Sequence, residues 1–291
     1  DPGHAGAGLA CNPFGASRLK IELGATMYDF RYHRPESLAA AREILDDSDE
    51  AMLLAGGMTL LPTMKLRLAH PSDLVDLGSI DALKDITDAG GAIEIGAMVR
   101  HAEVAASPIL RSAIPALARL AGKIGDVQVR NRGTLGGSIA NSDPASDYPA
   151  AVLALDAVIR TDRREIRADD YYLGMFETAL EPKEIVRAVR FPKPRRAAYM
   201  KFPNPASRYA VVGVMVAETG QGIRVGVTGA GPCGFRATAF EDALNKQFSA
   251  AALEGLNIEP GNLLSDLHAS SEYRAHLVSV MAKRAVKSLG G

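Results

Sequence analysis

Cysteine, net charge and long apolar runs are all scarce in this 291-residue chain, and each scarcity removes a class of function. The two cysteines, Cys11 and Cys233, lie far apart without a C-x-x-C pair, so the chain houses neither a disulfide framework nor an iron–sulfur cluster of its own. Its six histidines show no metal-ligand spacing. A formal net charge of −1, with acids and bases interspersed, argues against an extended nucleic-acid footprint. Arg163-Arg164 with Arg167, and the patch at 193–196, are interrupted by acids or prolines and read as solvated surface. No apolar run reaches the roughly 18 residues that a bilayer span needs. Residues 1–16 lack the basic and apolar regions of a signal peptide, and a cytoplasmic location is expected.

What is present is a chain that is 47% hydrophobic and 23% charged, long enough for two or three packed subdomains. Residues 1–26 have no periodicity and are read as an extension or arm without assigned function. A first unit spans 27–82: a strand at 27–32, a helix after Ser37 on Leu38, Ala41, Ile44 and Leu45, a strand at 51–54, a short helix from Leu60 through Leu68, and a strand at 73–77. A second unit spans 83–192. It holds a strand at 93–97, a helix at 101–106, one helix within 108–124, a helix at 148–155, a hairpin of 157–160 with 165–167, and a strand at 185–189. Its polar stretch 125–147 is expected to be a loop, too long for a plain connector and so a binding loop. The third unit, 193–291, starts in the proline-rich segment 192–205, pairs 209–218 with 223–228, and ends in helical stretches near 239–246, 249–256 and 273–289.

Two double glycines carry the chemistry. Gly56-Gly57 follows an apolar strand and precedes Thr59 and a helix start, where backbone N–H groups free of Cβ atoms can surround an anion. Gly136-Gly137 is flanked by the Thr134 and Ser138 hydroxyls, with Arg130 and Arg132 close by. The first alone is more often a structural turn, whereas two on separate units could clamp both ends of a diphosphate. Gly229-Ala230-Gly231-Pro232-Cys233-Gly234 matches G-x-G-x-x-G by letter. Pro232 removes a donor there and no β-α-β unit follows, so it reads as a glycine-rich turn.

The strings Ala55-Gly56-Gly57-Met58-Thr59-Leu60-Leu61-Pro62 (with Met64, Lys65 and Arg67) and Val129-Arg130-Asn131-Arg132-Gly133-Thr134-Leu135-Gly136-Gly137-Ser138-Ile139-Ala140 resemble the FAD-binding medium subunit of the molybdenum hydroxylases. That family includes carbon monoxide, xanthine and aldehyde or N-heterocycle dehydrogenases, and the likeness runs from Met27 to the C-terminus. It implies an α+β, two-lobed, vanillyl-alcohol-oxidase-like (PCMH-type) FAD-binding fold, followed by a C-terminal domain of antiparallel sheet and helical bundle. FAD would be non-covalent, because neither signature contains Cys or His. Ala55, Gly56, Gly57, Met58 and Thr59 would wrap the pyrophosphate, with Leu53, Leu54 and Leu60 as apolar neighbours. Thr134, Leu135, Gly136, Gly137 and Ser138 would close over it.

In the same resemblance Asp147 would bond the ribityl chain, although capping the helix from Tyr148 is the plainer role for such an aspartate. Ile185 or Val186 would pack near the flavin, and Lys201 would lie at its pyrimidine side, stabilising negative charge there. Tyr209 would either lie against the ring or pack the core. Arg208 stands where relatives often carry an acid, and Phe202-Pro203-Asn204-Pro205 replaces a basic stretch, which leaves the flavin's open face undecided. No metal ligand, and no catalytic residue beyond flavin tuning by Lys201 and Tyr209, is expected. The family also implies a heterotrimer, often doubled, with a large molybdenum-cofactor subunit and a small subunit carrying 2Fe-2S clusters. Electrons would pass through FAD to NAD or a quinone-type acceptor. A stand-alone flavoprotein dehydrogenase or oxidase, and a non-catalytic nucleotide-binding assembly subunit, are the two other readings.

Overall fold

Short apolar strands and small capped helices build four sheets in the computed structural model, which describes residues 27–291. The expectations placed on residues 1–26 and on Cys11 lie outside the described residues. The first unit is parallel. β1 (Arg31–His33), α1 (Leu38–Asp46), β2 (Ala51–Leu54), α2 (Leu60–Lys65) and β3 (Asp73–Asp76) give the strand order β1-β3-β2. α1 starts where Ser37 Oγ accepts the Ala40 N–H at 3.2 Å, and it buries Ala41 and Leu45.

The second sheet begins with β4 (Ile86–Asp88) and β5 (Ala92–Gly96). Six helices follow: α3 (His101–Ala106), α4 (Pro108–Ala113), α5 (Pro115–Ala121), α6 (Val127–Arg132), α7 (Leu135–Asn141) and α8 (Tyr148–Ala154). The chain then forms β6 (Val158–Thr161), β7 (Glu165–Arg167), a small hairpin of β8 (Tyr172–Gly174) and β9 (Glu177–Thr178), and β10 (Val186–Pro192). The antiparallel order is β4-β5-β10-β6-β7. A meander of β11 (Arg196–Pro203), β12 (Ala210–Thr219), β13 (Gly222–Thr228) and β14 (Phe235–Arg236) comes next, backed by α9 (Thr238–Lys246) and α10 (Ser271–Ser288).

α8 is buried along its whole length, packed on the meander and beside α5 and α7. A Cβ on Gly226 of β13 would lie 2.2 Å from the Ala150 carbonyl oxygen, so strand and helix meet backbone to backbone. One core therefore joins Ile93, Leu117 and Leu153 to Tyr199, Met215 and Ala217. A second core, with Val214, Val225, Phe240 and Met281, lies between the meander and α10.

The structure corrects several expectations. Residues 125–147 are not one loop: they contain α6, started by Asp126 Oδ1 on the Val129 N–H (2.9 Å), and α7, started by Thr134 Oγ1 on the Gly137 N–H (3.1 Å). α6 buries none of its residues, so it leaves no apolar stripe to read. The helix expected within 108–124 is two helices, because Pro115 excludes the helical conformation at Ile114, which sits at φ −138°, ψ 65°. The helix expected at 249–256 is a single 3-10 turn, Ala250–Leu253. The first strand is limited to β1, and β11 runs through the proline-rich segment, with Pro192, Pro194, Pro203 and Pro205 at its margins.

Candidate functional site

β2 carries Leu53 and Leu54 to its C-terminal end and turns at once through Gly56 and Gly57, the latter left-handed at φ +72°. A Cβ on Gly56 would lie 2.2 Å from the Arg132 carbonyl oxygen and 2.7 Å from Gly133 Cα. The loop is thus pressed against the α6–α7 junction, where only glycine fits. The consecutive N–H groups of Gly56, Gly57, Met58, Thr59 and Leu60 have no hydrogen-bond partner among the described residues. Successive free donors around a left-handed glycine form an anion-binding concavity.

The second glycine pair works differently. Its amides are committed: Gly136 N–H to Ala97 O (2.8 Å), Gly137 N–H to Thr134 Oγ1 (3.1 Å) and Ser138 N–H to Thr134 O (3.0 Å). What the pair contributes is close approach. A Cβ on Gly136 would meet Ala97 at 2.5 Å, and one on Gly137 would stand 3.1 Å from Ala55 Cβ. Arg130 Nη1 donates to the Ile124 and Gly125 carbonyls, which holds the turn before α6.

Between these loops, the end of the first sheet, the start of β10 and the segment 143–147 lies a cavity of about 440 Å³. Of the residues singled out in the sequence, Leu53, Ala55, Gly56, Gly57, Met58, Thr59, Leu60, Thr134, Gly136, Gly137, Ser138, Asp147, Ile185, Val186 and Tyr209 line it. Three do not. Leu54 packs on Met64 and Leu74, Leu135 is buried in the main core, and Lys201 stands behind Asp147.

Asp147 is the buried anion of the site. Its carboxylate accepts from Tyr199 Oη (2.6 Å) and lies 2.8 and 2.9 Å from Lys201 Nζ through its two oxygens. It makes no capping bond to α8, so the plainer expectation for this residue is not met. Burial pushes its carboxyl above the ordinary range, while Lys201 and then Tyr199 pull it down without cancelling that effect. Tyr209, 47% exposed at the cavity edge, is no core residue. Its hydroxyl is pushed up by burial and by the carboxylates of Asp143 and Asp147.

Two wall residues escape the sequence reading. His101 is buried, with Nδ1 3.3 Å from the Tyr148 hydroxyl. Burial and the charge of Arg130 hold its pKa at about 4, so it is neutral at pH 7. A Cβ on Gly133 would lie 2.6 Å from His101 Nε2, so the glycine is matched to the imidazole. Glu184 accepts from Arg164, Thr161 Oγ1 and the Glu181 N–H. Burial opposes its charge, but Arg164, Thr161 and that N–H outweigh it and bring the carboxyl down to about 2. No local motif marks either residue, because their partners come from distant segments.

Free backbone donors on one wall, carboxylates on another and an apolar strip at Leu53, Met98, Ile185 and Val186 suit one kind of guest. It has an anionic centre, hydroxyl groups and a flat apolar ring, which is the composition of FAD. Among the described residues no group of three His, Cys, Asp or Glu is placed to hold a metal ion, and no helix is long and apolar enough to cross a membrane.

Residues 28–194 match the family model described as the FAD binding domain in molybdopterin dehydrogenase. The chain is 34% identical over 275 residues to the nicotine 6-hydroxylase medium subunit of Paenarthrobacter nicotinovorans, covering 89% of this chain and 97% of that one. It is 34% identical over 279 residues to the carbon monoxide dehydrogenase medium chain of Hydrogenophaga pseudoflava, covering 89% and 96%. The solved carbon monoxide dehydrogenase from H. pseudoflava that lacks the Mo-pyranopterin moiety superimposes with a TM-score of 0.81 at 34% identity, over 90% of this chain and 97% of that one.

Proposed function

Because this chain belongs to the FAD-binding domain family of the molybdopterin dehydrogenases, we propose that it is the electron-relay subunit of a molybdenum hydroxylase, with FAD held in the cavity between its two double-glycine loops. The observation that carries this reading is the row of unpartnered N–H groups from Gly56 to Leu60, residues that line that cavity. These donors would hold the pyrophosphate, Gly136 and Gly137 would let it approach the backbone, and Asp147 would accept from ribityl hydroxyls. Ile185, Val186 and Tyr209 would border the ring. The two lobes, 27–82 and 83–192, would together form a PCMH-type, vanillyl-alcohol-oxidase-like binding unit, with 193–291 as a third domain.

When bound, the flavin supplies exchange of single electrons and electron pairs, linking 2Fe-2S clusters of a small subunit to NAD or a quinone-type acceptor. Substrate oxidation would belong to a large molybdenum-cofactor subunit, in a cytoplasmic heterotrimer that is commonly doubled. This chain's own residues would bind and orient the cofactor.

The test is FAD binding by the purified full-length chain, followed by flavin fluorescence. Wild type is expected to bind, and Gly57→Ala, which puts a side chain at φ +72° beside the donor row, is expected to bind at least about tenfold more weakly with its fold retained. Unchanged affinity in Gly57→Ala overturns the assignment. Reduction of the bound flavin by an organic substrate without partners would favour a stand-alone dehydrogenase instead.

A further inference from the structure

The acidic segment of the cavity is gripped from the C-terminal sheet. Gly229 N–H donates to Pro144 O at 2.8 Å, Ala210 N–H to Ala145 O at 3.3 Å, and the Thr228 hydroxyl to Ser146 O. Asp147 follows, held through its side chain by Tyr199 and Lys201. These two residues are two apart on β11 and so share a face of the sheet. Gly213 of β12 pairs with Lys201 on one side and with Thr228 on the other. A Cβ on Gly213 would stand 2.3 Å from the Tyr199 hydroxyl, so this glycine is what lets the phenol reach Asp147.

Lys201 is turned toward protein partners and does not line the cavity. Its Nζ donates to Asp147 Oδ2 at 2.9 Å and to the Lys123 carbonyl at 3.1 Å, and it lies 2.8 Å from Asp147 Oδ1. Its side chain is 3% exposed. Whatever it does for the cavity, it does through Asp147.

We propose that Tyr199 and Lys201 are positioning residues of the flavin site: acting through Asp147, they keep its carboxylate ionised and in one orientation, so that the cavity presents a fixed acceptor to the hydroxyl groups of the bound nucleotide. The inference rests on the assignment of the cavity to FAD. A carboxylate this deeply buried tends to protonate when left alone, and a protonated one gives up an acceptor site for an O–H donor. The charged and titratable groups around it are Tyr199 and Lys201 from β11, Lys123 beyond α5, Tyr148 at the start of α8, and Tyr209 on the cavity side, itself beside Asp143.

The experiment is FAD affinity of the full-length chain, by flavin fluorescence, across the pH range in which circular dichroism shows the fold intact. Wild type is expected to lose affinity as pH falls through the titration of Asp147. Lys201→Met is expected to move that midpoint upward by about one pH unit or more, since the compensating charge is gone. Tyr199→Phe moves it in the same direction by less, and Lys201→Arg restores the wild-type position. Asp147→Asn is expected to bind weakly with no titration. A folded Lys201→Met or Tyr199→Phe with the wild-type profile overturns the inference. If Lys201→Met does not fold, Tyr199→Phe, which deletes a single hydroxyl, decides. Should Gly57→Ala lose FAD while the β11 variants keep the wild-type profile, the inference fails and the flavin assignment stands. Should Gly57→Ala bind normally, the assignment itself fails.

Discussion

His101 and Glu184 make the wall of the cavity sensitive to acid in two separate windows. The folded pKa of His101, about 4, lies below its ordinary value of 6.5, so the unfolded chain binds the extra proton. Stability from this residue is complete above about pH 6.5 and is lost as pH falls toward 4, in full by about 3 kcal/mol. Glu184 is likewise depressed, to about 2 from 4.5, and its contribution is present above about pH 4.5 and lost as pH falls toward 2. Asp147 has the opposite sign, because its raised folded pKa makes the native state the better proton binder. Urea melts of the FAD-free chain at stepped pH are expected to show stability falling between pH 6.5 and 4, with His101→Gln flattening that slope. An unchanged slope in His101→Gln would mean that the imidazole is already protonated in the fold. Neither residue could be picked from the sequence, whereas the glycine pairs could. A double glycine after an apolar strand declares a backbone requirement locally, while a buried His or Glu is defined only by what folds around it, here Tyr148 and Arg164 from other elements.

Among the elements, α7 shows how a short capped helix carries part of a site. Thr134 Oγ1 caps the Gly137 N–H, and Gly136, Gly137 and Ser138 of that same first turn line the cavity. Thr134→Ala is expected to lower stability by about 1 kcal/mol and to weaken FAD binding, and Thr134→Ser to preserve both, as read from denaturant melts and flavin fluorescence. Loss of stability without loss of FAD affinity would show that the cap serves the helix alone. Among the strands that were legible, β2 and the β12–β13 pair are apolar or alternating runs bounded by glycine, and α1 was legible from its spacing behind Ser37. β11 was hidden by prolines and basic residues, and β8, β9 and β14 are too short for any period to develop. Asp147 was legible as a site residue through its family resemblance. Its orientation was not, because Tyr199 and Lys201, which decide it, lie 52 and 54 residues further along the chain.

At the scale of the whole molecule, the boundary suggested by the prolines near residue 192 is not a boundary of the core. The FAD-binding family model ends at 194, yet the main core continues through it to Tyr199, Met215 and Ala217. α8 leans on the C-terminal side: Gly226 of β13 packs against Ala150, and a Cβ on Gly234 would lie 2.5 Å from Pro149 Cβ. Removing everything after 194 would expose one face of α8, free the segment 144–146 from Thr228, Gly229 and Ala210, and leave the Asp147 carboxylate without its buried partners. The main core would also lose Ala197, Tyr199, Met215 and Ala217 and turn the apolar side chains they cover toward water, at roughly 25 cal/mol per Å² of apolar surface, against a net stability of only about 5–15 kcal/mol for an ordinary domain. The fragment 27–194 is therefore expected to keep helical far-UV signal but to melt without cooperativity, to bind a hydrophobic dye and to take up no FAD, although it contains both glycine loops. A sharp melt together with FAD binding by that fragment would show that the C-terminal sheet is dispensable to the site, and the dependence of Asp147 on β11 would fall with it.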